Sequence, residues 1–271
     1  MYSYMEKIQP VTIYGNIIMN ELKKYCKENN IEWDEPNTNI LEDQELLRSW
    51  IQTESKLPWL KLDIEMPHEK MLEEARAVYD NHPHLFSAHR YDDGDGWSAS
   101  CIHGISSTQT EYYPEYGYEN EDDVPYKWTE TSYLCPTITT YFKNNFHYKK
   151  YTRLRIMRIA PGGWISWHSD EPEPASANNW YLNIVNIALN MPENCLFEVS
   201  PYGHIPMSNG SAFFFSLGAL HRVTNNSDTA RYHIIVHGDK EYEPWRELYV
   251  HSWKKRNQAM ETAFRKYGLA I

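Results

Sequence analysis

The N-terminal part of the chain, residues 1–84, carries apolar residues at helical spacing in three places. Positions three and four residues apart lie on one face of a helix, so each stretch predicts an amphipathic helix. Between them, residues 34–39 and 55–67 carry the proline and asparagine signals of loops, and LKLDI (60–64) is a possible short strand. The helical positions are Ile18, Met19, Leu22, Tyr25 and Cys26; Leu46, Leu47, Trp50 and Ile51; and Met71, Leu72, Ala75, Val78 and Tyr79.

The pattern weakens over residues 85–150, which are predicted to be rich in loops. Within them, EYYPEYGYENEDD (111–123) holds six acidic residues and four tyrosines. One interpretation is an exposed loop with aromatic residues on its surface. The alternative is a lid over a site, because long segments without secondary structure often cover binding sites.

Residues 151–239 consist of short β-branched and aromatic runs separated by turn residues such as PGG (161–163) and NNSDT (225–229). Six or more such runs predict an antiparallel sandwich or barrel. Residues 240–271 return to helical spacing and predict a closing helix. We therefore expect one α+β domain over residues 1–271, with helices packed on a β core. The apolar face of the closing helix comprises Trp245, Leu248, Tyr249, Trp253, Met260, Phe264 and Tyr267.

Composition narrows the function classes. The chain has 271 residues, 41% of them hydrophobic, and a formal net charge of −11, which disfavours nucleic acid and anionic membranes as partners. Its 4 cysteines lack zinc-ribbon or disulfide spacing, and its N-terminus has no apolar targeting segment, so we expect a cytoplasmic protein. The one basic run, residues 254–256, fits a solvated helix face, and the oligomeric state stays open.

The candidate chemistry begins with WHSD (167–170). His168 and Asp170 alternate on a predicted strand, so they share a face and can bind one metal ion together. With 12 histidines in the chain, this pair alone is a weak signal. His221, which follows SAFFFSLGAL, supplies a third ligand. Two histidines and one carboxylate leave coordination positions open, as in non-haem Fe(II) oxygenases, whereas structural zinc closes a four-ligand shell.

Arg231 adds the second element of the site. A hairpin centred near Asn226 makes His221 and Arg231 direct cross-strand neighbours, with Cβ atoms about 5 Å apart. The guanidinium of Arg231 then points into the cavity of the metal. Its planar set of donors suits a carboxylate, such as the far end of a metal-chelating 2-oxoglutarate.

These residues resemble the 2-oxoglutarate/Fe(II)-dependent oxygenases of the double-stranded β-helix (jelly-roll, cupin-like) fold. The stretches RLRIMRIAPGGWISWHSD, LNIVNIALNMPENCLFEV and GSAFFFSLGALHRVTNNSDTARYHIIVHGD resemble the aspartyl/asparaginyl β-hydroxylase-like branch, which includes proline hydroxylases. The likeness spans residues 150–239, about a third of the chain. It implies an α+β fold with a double-stranded β-helix core, N-terminal helices and a C-terminal helix.

The resemblance also implies the parts of the site. His168, Asp170 and His221 would hold Fe(II), Arg231 would bind 2-oxoglutarate, and O₂ would be the oxidant. The aspartyl/asparaginyl hydroxylase itself has glycine in place of Asp170, so the full triad is nearer the proline-hydroxylase pattern and argues against halogenation. Members of this branch also use a histidine to hold 2-oxoglutarate. At the corresponding place in this chain, the nearest polar residues are Asn183 and Asn186.

Further candidates come from strand parity. His233 shares a strand face with Arg231 and is therefore a further candidate for binding the cosubstrate. His237 lies near the strand end and is expected to be solvated. Arg153 and Arg155 share a face and could hold a substrate carboxylate or form structural ion pairs. The remaining candidates are Arg158, on the opposite face; Trp167, as a pocket wall; and Trp164, in packing.

The resulting prediction is an Fe(II)/2-oxoglutarate-dependent dioxygenase that hydroxylates an amino-acid residue, free or within a peptide or protein. The acidic stretch 111–123 would favour a neutral or basic peptide if it lined the entrance. The alternatives are a non-catalytic cupin-like metal-binding or sensor module and a zinc-stabilised structural protein. The zinc alternative needs a fourth ligand, for which His204 is the candidate.

Overall fold

The computed structural model describes residues 58–88, 93–170, 182–200, 203–216 and 218–266. The side chains at 182–183, 242–243 and 257–266 lie outside this description. The predicted helices around Ile18 and Leu46 fall in residues 1–57 and are likewise outside it.

The described chain forms helices at both ends and β-strands between them. The helices are α1 (His68–Asn81), α2 (Glu130–Leu134), α3 (Pro136–Asn145) and α4 (Tyr242–Lys266). Single 3₁₀ turns occupy Pro83–Leu85, Tyr113–Tyr116 and Glu121–Asp123. The strands are β1 (Trp59–Leu62), β2 (Ser87–Ala88), β3 (Gly94–Gly104), β4 (Lys127–Trp128), β5 (Tyr148–His168), β6 (Leu182–Ala188), β7 (Cys195–Val199), β8 (Gly203–His204), β9 (Ala212–Ser216), β10 (His221–Asn225) and β11 (Arg231–Lys240).

The strands form a single curled antiparallel sheet in the order β1-β9-β6-β11-β5-β10-β7-β8. The 21-residue β5 belongs to both halves of this sheet: its N-terminal part pairs with β11 and its end pairs with β10. Along its other edge β5 pairs with β3, which in turn pairs with β2 and β4. The predicted α+β fold with a double-stranded β-helix core is therefore confirmed.

The change of partner along β5 follows the PGG turn. Gly162 has a φ of 74°, a backbone conformation that favours glycine. A Cβ built on Gly163 would lie 2.9 Å from the carbonyl oxygen of Ala160. Glycine at these positions lets β5 continue from one half of the sheet into the other.

The predicted hairpin between His221 and Arg231 is wrong. β10 pairs with β5 and β7, whereas β11 pairs with β5 and β6, so the two strands lie in different halves of the sheet. The side-chain amide of Asn225 donates to the carbonyls of Ile159, Ala160 and Thr229 and anchors the connection. The turn residues predicted a reversal correctly, but they do not distinguish a hairpin from an arch between sheet halves.

The section predicted to be loop-rich, residues 85–150, contains more structure than expected. It holds the 11-residue β3 and the helices α2 and α3. β3 has the sequence GDGWSASCIHG, and its glycines and serines are not residues that predict a strand. The strand is stabilised by pairing with β5. Residues 111–123 contain two of the 3₁₀ turns.

The helices cover the larger half of the sheet. The predicted face of α1 is buried through Met71, Ala75 and Val78. α4 buries Trp245, Tyr249 and Trp253 in the same core cluster, as its period predicts. Of the helices in the described part of the chain, none is long and apolar enough to cross a membrane. One domain over residues 1–271 stays a prediction.

Candidate metal and cosubstrate site

The three predicted metal ligands meet at the end of β5. His168 is the last residue of β5 and pairs directly with His221, the first residue of β10. The imidazole Nε2 of His168 lies 3.4 Å from Oδ1 of Asp170, and the two imidazole centroids are 4.2 Å apart. One ligand atom from each residue lies within 4.8 Å of the others, so the three side chains can hold one ion.

Backbone carbonyls fix the orientation of both imidazoles. Nδ1 of His168 lies 2.8 Å from the carbonyl oxygen of Ser166, and Nδ1 of His221 lies 2.6 Å from that of Ala219. Because a carbonyl oxygen only accepts, each Nδ1 must carry the proton. In the neutral rings, both Nε2 lone pairs are then available to a metal, as is usual for metal-binding histidines.

The electrostatics of this group also suit a cation. Burial raises the pKa of Asp170, but the hydrogen bond from His168 and the proximity of His221 outweigh it, so the net pKa is lowered. Burial lowers the pKa of His221 and favours its neutral, metal-binding form. For His168, burial lowers the pKa, while the hydrogen bonds to Asp170 and Ser166 raise it above the usual value. The Asp170 carboxylate thus offers a negative charge beside Nε2 of His168, which suits a cation at this position.

The donor set fits Fe(II) better than structural zinc. Two imidazoles and one carboxylate form a three-ligand site with open positions, which is typical of non-haem Fe(II). Among the described residues, no fourth ligand joins the group. His204, the candidate for that position, is exposed on β8 and pairs with Glu198 across strands.

A cavity of about 760 Å³ adjoins the triad and is lined by both halves of the sheet. Its volume falls in the range of small-molecule sites. Phe197, Phe215 and Ile184 form apolar walls, while Thr110, Glu111 and Glu115 line one side, so the 111–123 stretch does reach the cavity. The strand residues that line it include Arg153, Arg155, Met157, Ile165, His168, Asn186, His221, Val223, Arg231, His233, Ile235 and His237.

Arg231 lies in the wall of this cavity with an exposed fraction of 0%. Its NH2 group lies 3.5 Å from Sδ of Met207, and its guanidinium is 5.8 Å from the ring centroid of Phe197. Nε and NH1 have no hydrogen-bond partner, and no carboxylate in the described ranges forms an ion pair with this side chain. Burial lowers its pKa to about 10, so the group remains a cation at neutral pH. A buried, unpaired cation is costly, and an anionic ligand would compensate it.

Two further predicted residues line the same cavity as Arg231. Asn186 is 4% exposed, and its Oδ1 has no partner. His233 packs against Trp97 with ring centroids 5.4 Å apart, and its Nδ1 is also unpartnered. Burial and the charges of Arg231 and Arg155 hold the pKa of His233 well below its usual range, so it is neutral. The side chain of Asn183 lies outside the described part of the chain.

The structure separates the remaining candidates. Arg153 and Arg155 line the cavity, whereas Arg158 points away and its guanidinium lies 3.9 Å from the ring centroid of Tyr79. Trp167, predicted as a pocket wall, instead contacts Arg222 on the outer face of the sheet. A bulge in β5 opposite β10 brings His168 inward and leaves Trp167 outward.

Other cavity residues were not recognised from the sequence. His237 was expected to be solvated, yet it lines the cavity, and its Nε2 is buried without a partner. Burial and the charges of Arg153 and Arg155 hold its pKa well below its usual range. Strand parity with Arg231 could have identified it, because alternate residues of β11 share a face. Trp97 and Thr110 carried no comparable signal.

A curled antiparallel sheet that holds a two-histidine, one-carboxylate group beside a buried arginine is the arrangement implied by the resemblance to 2-oxoglutarate/Fe(II) oxygenases. The chain belongs to the aspartyl/asparaginyl β-hydroxylase family, whose family model matches residues 65–241, more than half of the sequence. The predictions of a hydroxylase of the Fe(II)/2-oxoglutarate-dependent class and of these cofactors are confirmed at the level of the family.

Solved structures show only distant likeness. A prolyl hydroxylase from Trichoplax adhaerens is 13% identical with a TM-score of 0.41, covering 78% of this chain and 97% of that chain. A prolyl-4-hydroxylase from Pseudomonas putida is 10% identical with a TM-score of 0.39, covering 72% and 98%. A 2OG-Fe(II) oxygenase family protein from Burkholderia pseudomallei is 16% identical with a TM-score of 0.39, covering 73% and 94%. Comparison with curated protein sequences gives no match. The family assignment rests on the family model alone.

Proposed function

We propose that this protein hydroxylates a carbon atom of an amino-acid residue, free or within a peptide or protein. In this proposal, His168, Asp170 and His221 hold Fe(II), and Arg231 binds 2-oxoglutarate. The observation that carries it is the fully buried Arg231 guanidinium, which lacks an acidic partner among the described residues and lines the same cavity as the triad. The charge of −11 further supports a protein without nucleic-acid or anionic-membrane partners. A cytoplasmic location is proposed from the cysteine spacing and the lack of an apolar N-terminal segment.

Bound Fe(II), with 2-oxoglutarate and O₂, would supply the oxidation. 2-Oxoglutarate would become succinate and CO₂. One oxygen atom of O₂ would be incorporated into succinate, and the other would be inserted into a C–H bond of the substrate. The chain supplies binding and orientation. The carbonyls of Ser166 and Ala219 hold the two imidazoles with Nε2 toward Asp170. The lowered pKa of Asp170 keeps its carboxylate ionised at neutral pH.

Arg231 would bind the distal carboxylate of 2-oxoglutarate through donors that have no protein partner. Such charge-assisted hydrogen bonds are stronger than neutral ones, and the rigid guanidinium can donate two in parallel. Neutral His233 and the amide of Asn186 offer polar contacts on the same wall without adding charge. Phe197 and Phe215 limit the access of water around these groups.

The direct test is formation of succinate from 2-oxoglutarate by the purified chain with Fe(II) and O₂. We expect turnover by the wild type and its loss in His168→Ala and Arg231→Ala. His204→Ala is the matched control, because this exposed histidine lies outside the cavity lining. Activity that survives in both cavity variants would defeat the assignment.

The substrate screen is a mass-spectrometric search among amino acids and peptides for products that gain one oxygen atom. Such a product must depend on added 2-oxoglutarate and must be absent with His168→Ala. An oxygenated product that forms equally without 2-oxoglutarate would contradict the proposal.

A further inference from the structure

Arg231 lies where strand β11 loses its neighbour on one edge. β11 pairs with β6 from His233, opposite Ala188, toward its C-terminal end. Continuing this register by two residues would place Asn190 opposite Arg231, but β6 ends at Ala188. The chain then enters a turn that contains Pro192, which has no backbone N–H to donate to a strand. In the described chain, no strand therefore continues the sheet on this edge of Arg231.

The side chain of Asn190 takes the place of the missing strand. Its Nδ2 donates to the carbonyl oxygen of Ala230 at 2.9 Å, and its Oδ1 accepts the backbone N–H of Tyr232 at 2.6 Å. The backbone N–H of Asn190 also donates to the carbonyl oxygen of Tyr232, at 3.2 Å. A side-chain amide can act in this way because it carries a donor and an acceptor, as a peptide group does. One asparagine thus holds the backbone on both sides of Arg231.

A second buried asparagine holds the other edge of this segment. Asn225, at the end of β10, donates through Nδ2 to the carbonyl oxygens of Ile159 and Thr229. Ile159 is the cross-strand partner of Arg231 on β5. Because Asn190 and Asn225 are both buried, water competes little for these hydrogen bonds. Breaking one would leave buried backbone groups unpaired, so the two amides define the position of the backbone at Arg231.

The guanidinium of Arg231 depends on this backbone for its own position. Its NH2 group lies 3.5 Å from the thioether of Met207, which is a weak acceptor. Nε and NH1 have no hydrogen-bond partner, and no carboxylate of the described residues pairs with the side chain. The place where the donors of Arg231 meet a ligand therefore follows from where the backbone of residues 230–232 lies.

We propose that Asn190 is a positioning residue for Arg231 and thereby sets the affinity of the site for 2-oxoglutarate. This role rests on the proposed function, in which Arg231 binds the distal carboxylate. Asn190 is not among the residues that line the cavity, so it acts through Arg231 and not by contact with the ligand. A two-pronged contact between guanidinium and carboxylate tolerates little displacement, because both hydrogen bonds must keep their length and direction.

The metal ligands are held by other contacts. His168 and His221 pair with each other on β5 and β10, and the carbonyls of Ser166 and Ala219 orient their imidazoles. The side-chain hydrogen bonds of Asn190 go instead to the segment around Arg231. Loss of the Asn190 amide should therefore weaken the binding of 2-oxoglutarate and leave the binding of the metal unchanged.

The test is calorimetric titration of 2-oxoglutarate into the Mn(II)-loaded full chain. Asn190→Ala should bind 2-oxoglutarate about 3-fold to 10-fold more weakly than the wild type, which corresponds to partial loss of a charge-assisted contact. Its affinity for Mn(II), followed by electron paramagnetic resonance of the free ion, should stay within about 2-fold of the wild type. Asn190→Ser, with a hydroxyl in place of the amide, replaces Asn190→Ala if the latter does not unfold cooperatively, and the same result is expected.

Removal of a buried amide also destabilises the fold, so the control variant must lose stability elsewhere. Glu74→Ala removes two hydrogen bonds to the backbone N–H groups of Thr137 and Ile138, and Glu74 lies outside the cavity lining. Urea denaturation measures the stability of both variants, and binding is compared at a temperature where both are folded. Glu74→Ala should bind 2-oxoglutarate as the wild type does.

A double substitution shows whether Asn190 acts through Arg231. In Arg231→Gln the distal carboxylate has already lost the guanidinium, so the position of the backbone there matters little to the ligand. Adding Asn190→Ala to Arg231→Gln should therefore weaken binding by less than about 2-fold further. Two independent effects would instead multiply.

Four results would each overturn this role of Asn190. They are wild-type affinity for 2-oxoglutarate in Asn190→Ala, an equal loss of affinity in Glu74→Ala, a parallel loss of Mn(II) affinity in Asn190→Ala, and effects that multiply in the double variant. Absence of 2-oxoglutarate binding to the wild type, or equal binding by the wild type and Arg231→Gln, would instead contradict the proposed function itself. The same titrations therefore distinguish the two failures.

Discussion

His168 and His221 are directly paired residues of adjacent antiparallel strands, and each ring donates its Nδ1 proton to a carbonyl two residues earlier in the chain. The pairing places both Nε2 atoms on one side of the sheet, where Asp170 joins them. Metal affinity should therefore depend on these three residues together.

We expect His168→Ala and His221→Ala each to weaken Mn(II) binding more than about 100-fold, because changes to outer hydrogen-bond partners alone cost about 10–100-fold. Mn(II) binding can be followed by electron paramagnetic resonance of the free ion. His204→Ala should bind Mn(II) as the wild type does. Equal affinity in the His168 and His204 variants would place the metal elsewhere.

Glu74 joins α1 to the start of α3. Its carboxylate accepts the backbone N–H groups of Thr137 and Ile138 at 2.8 and 3.1 Å, where Cys135 provides no side-chain cap. Carboxylates at helix N-termini satisfy free donors and interact favourably with the helix dipole.

Glu74→Ala should therefore lower the free energy of unfolding by about 1–2 kcal/mol. Glu73→Ala, an exposed neighbour on the same helix, should change it by less than about 0.5 kcal/mol. Urea denaturation of both variants measures the difference. Similar values for the two would show that the Glu74 carboxylate does not cap α3.

Gly96 marks the close approach of β3 to β5. It has a φ of 71°, and a Cβ built there would lie 2.9 Å from Cα of Gly163. Gly96→Ala should destabilise the fold by about 2–4 kcal/mol, because backbone strain and a steric clash act together.

Gly117→Ala separates these two effects. Gly117 has a φ of 84°, but nothing lies within 4 Å of a Cβ built there. Its substitution should cost only the strain, about 1 kcal/mol. Thermal unfolding of both variants is the measurement. A Gly117 variant as unstable as the Gly96 variant would contradict a steric clash between Gly96 and Gly163 as the source of the larger effect.

Asp63 gives the stability a defined pH dependence. It pairs with Lys255 and, at 2.7 Å, with His251, both on α4. The hydrogen bond from Lys255 lowers the pKa of Asp63, burial partly opposes this, and His251 lowers the pKa further. A carboxylate with a lowered folded-state pKa stabilises the fold above its unfolded pKa, and this stabilisation is lost as the pH falls through the folded value.

Asp63→Asn should therefore be less stable than the wild type at pH 7, by no more than about 1 kcal/mol because the partners are exposed. The difference should shrink as the pH falls from about 4, the ordinary aspartate pKa of the unfolded chain, through the lower pKa of Asp63 in the folded protein. Urea denaturation at several pH values tests this. A difference that stays constant from pH 7 to pH 3 would exclude the ion pairs as its source.

The residues that could be predicted from the sequence are those with a short-range signal. α1 and α4 followed from helical spacing, and His168 and Asp170 followed from strand alternation. Arg231 was assigned to the site through a pairing with His221 that does not exist. It nevertheless lines the cavity, because β10 and β11 both pair with the same edge of β5 and present residues to the same interior.

The features that were missed depend on long-range pairing. β3 lacks an apolar alternation and is a strand because β5 lies beside it. Trp167 points outward because of a bulge that no local pattern indicated. Thr110 reaches Arg155 across 45 positions of sequence, a contact that neither segment signals by itself.

The central claim is that the triad and Arg231 form one site for a metal ion and 2-oxoglutarate. Its most direct test is calorimetric titration of 2-oxoglutarate into the Mn(II)-loaded chain, comparing the wild type with Arg231→Gln and Arg158→Gln. The account predicts saturable, metal-dependent binding to the wild type and the Arg158 variant, weakened at least about 10-fold in the Arg231 variant. Binding that is equal in all three proteins, or absent from the wild type, would contradict it.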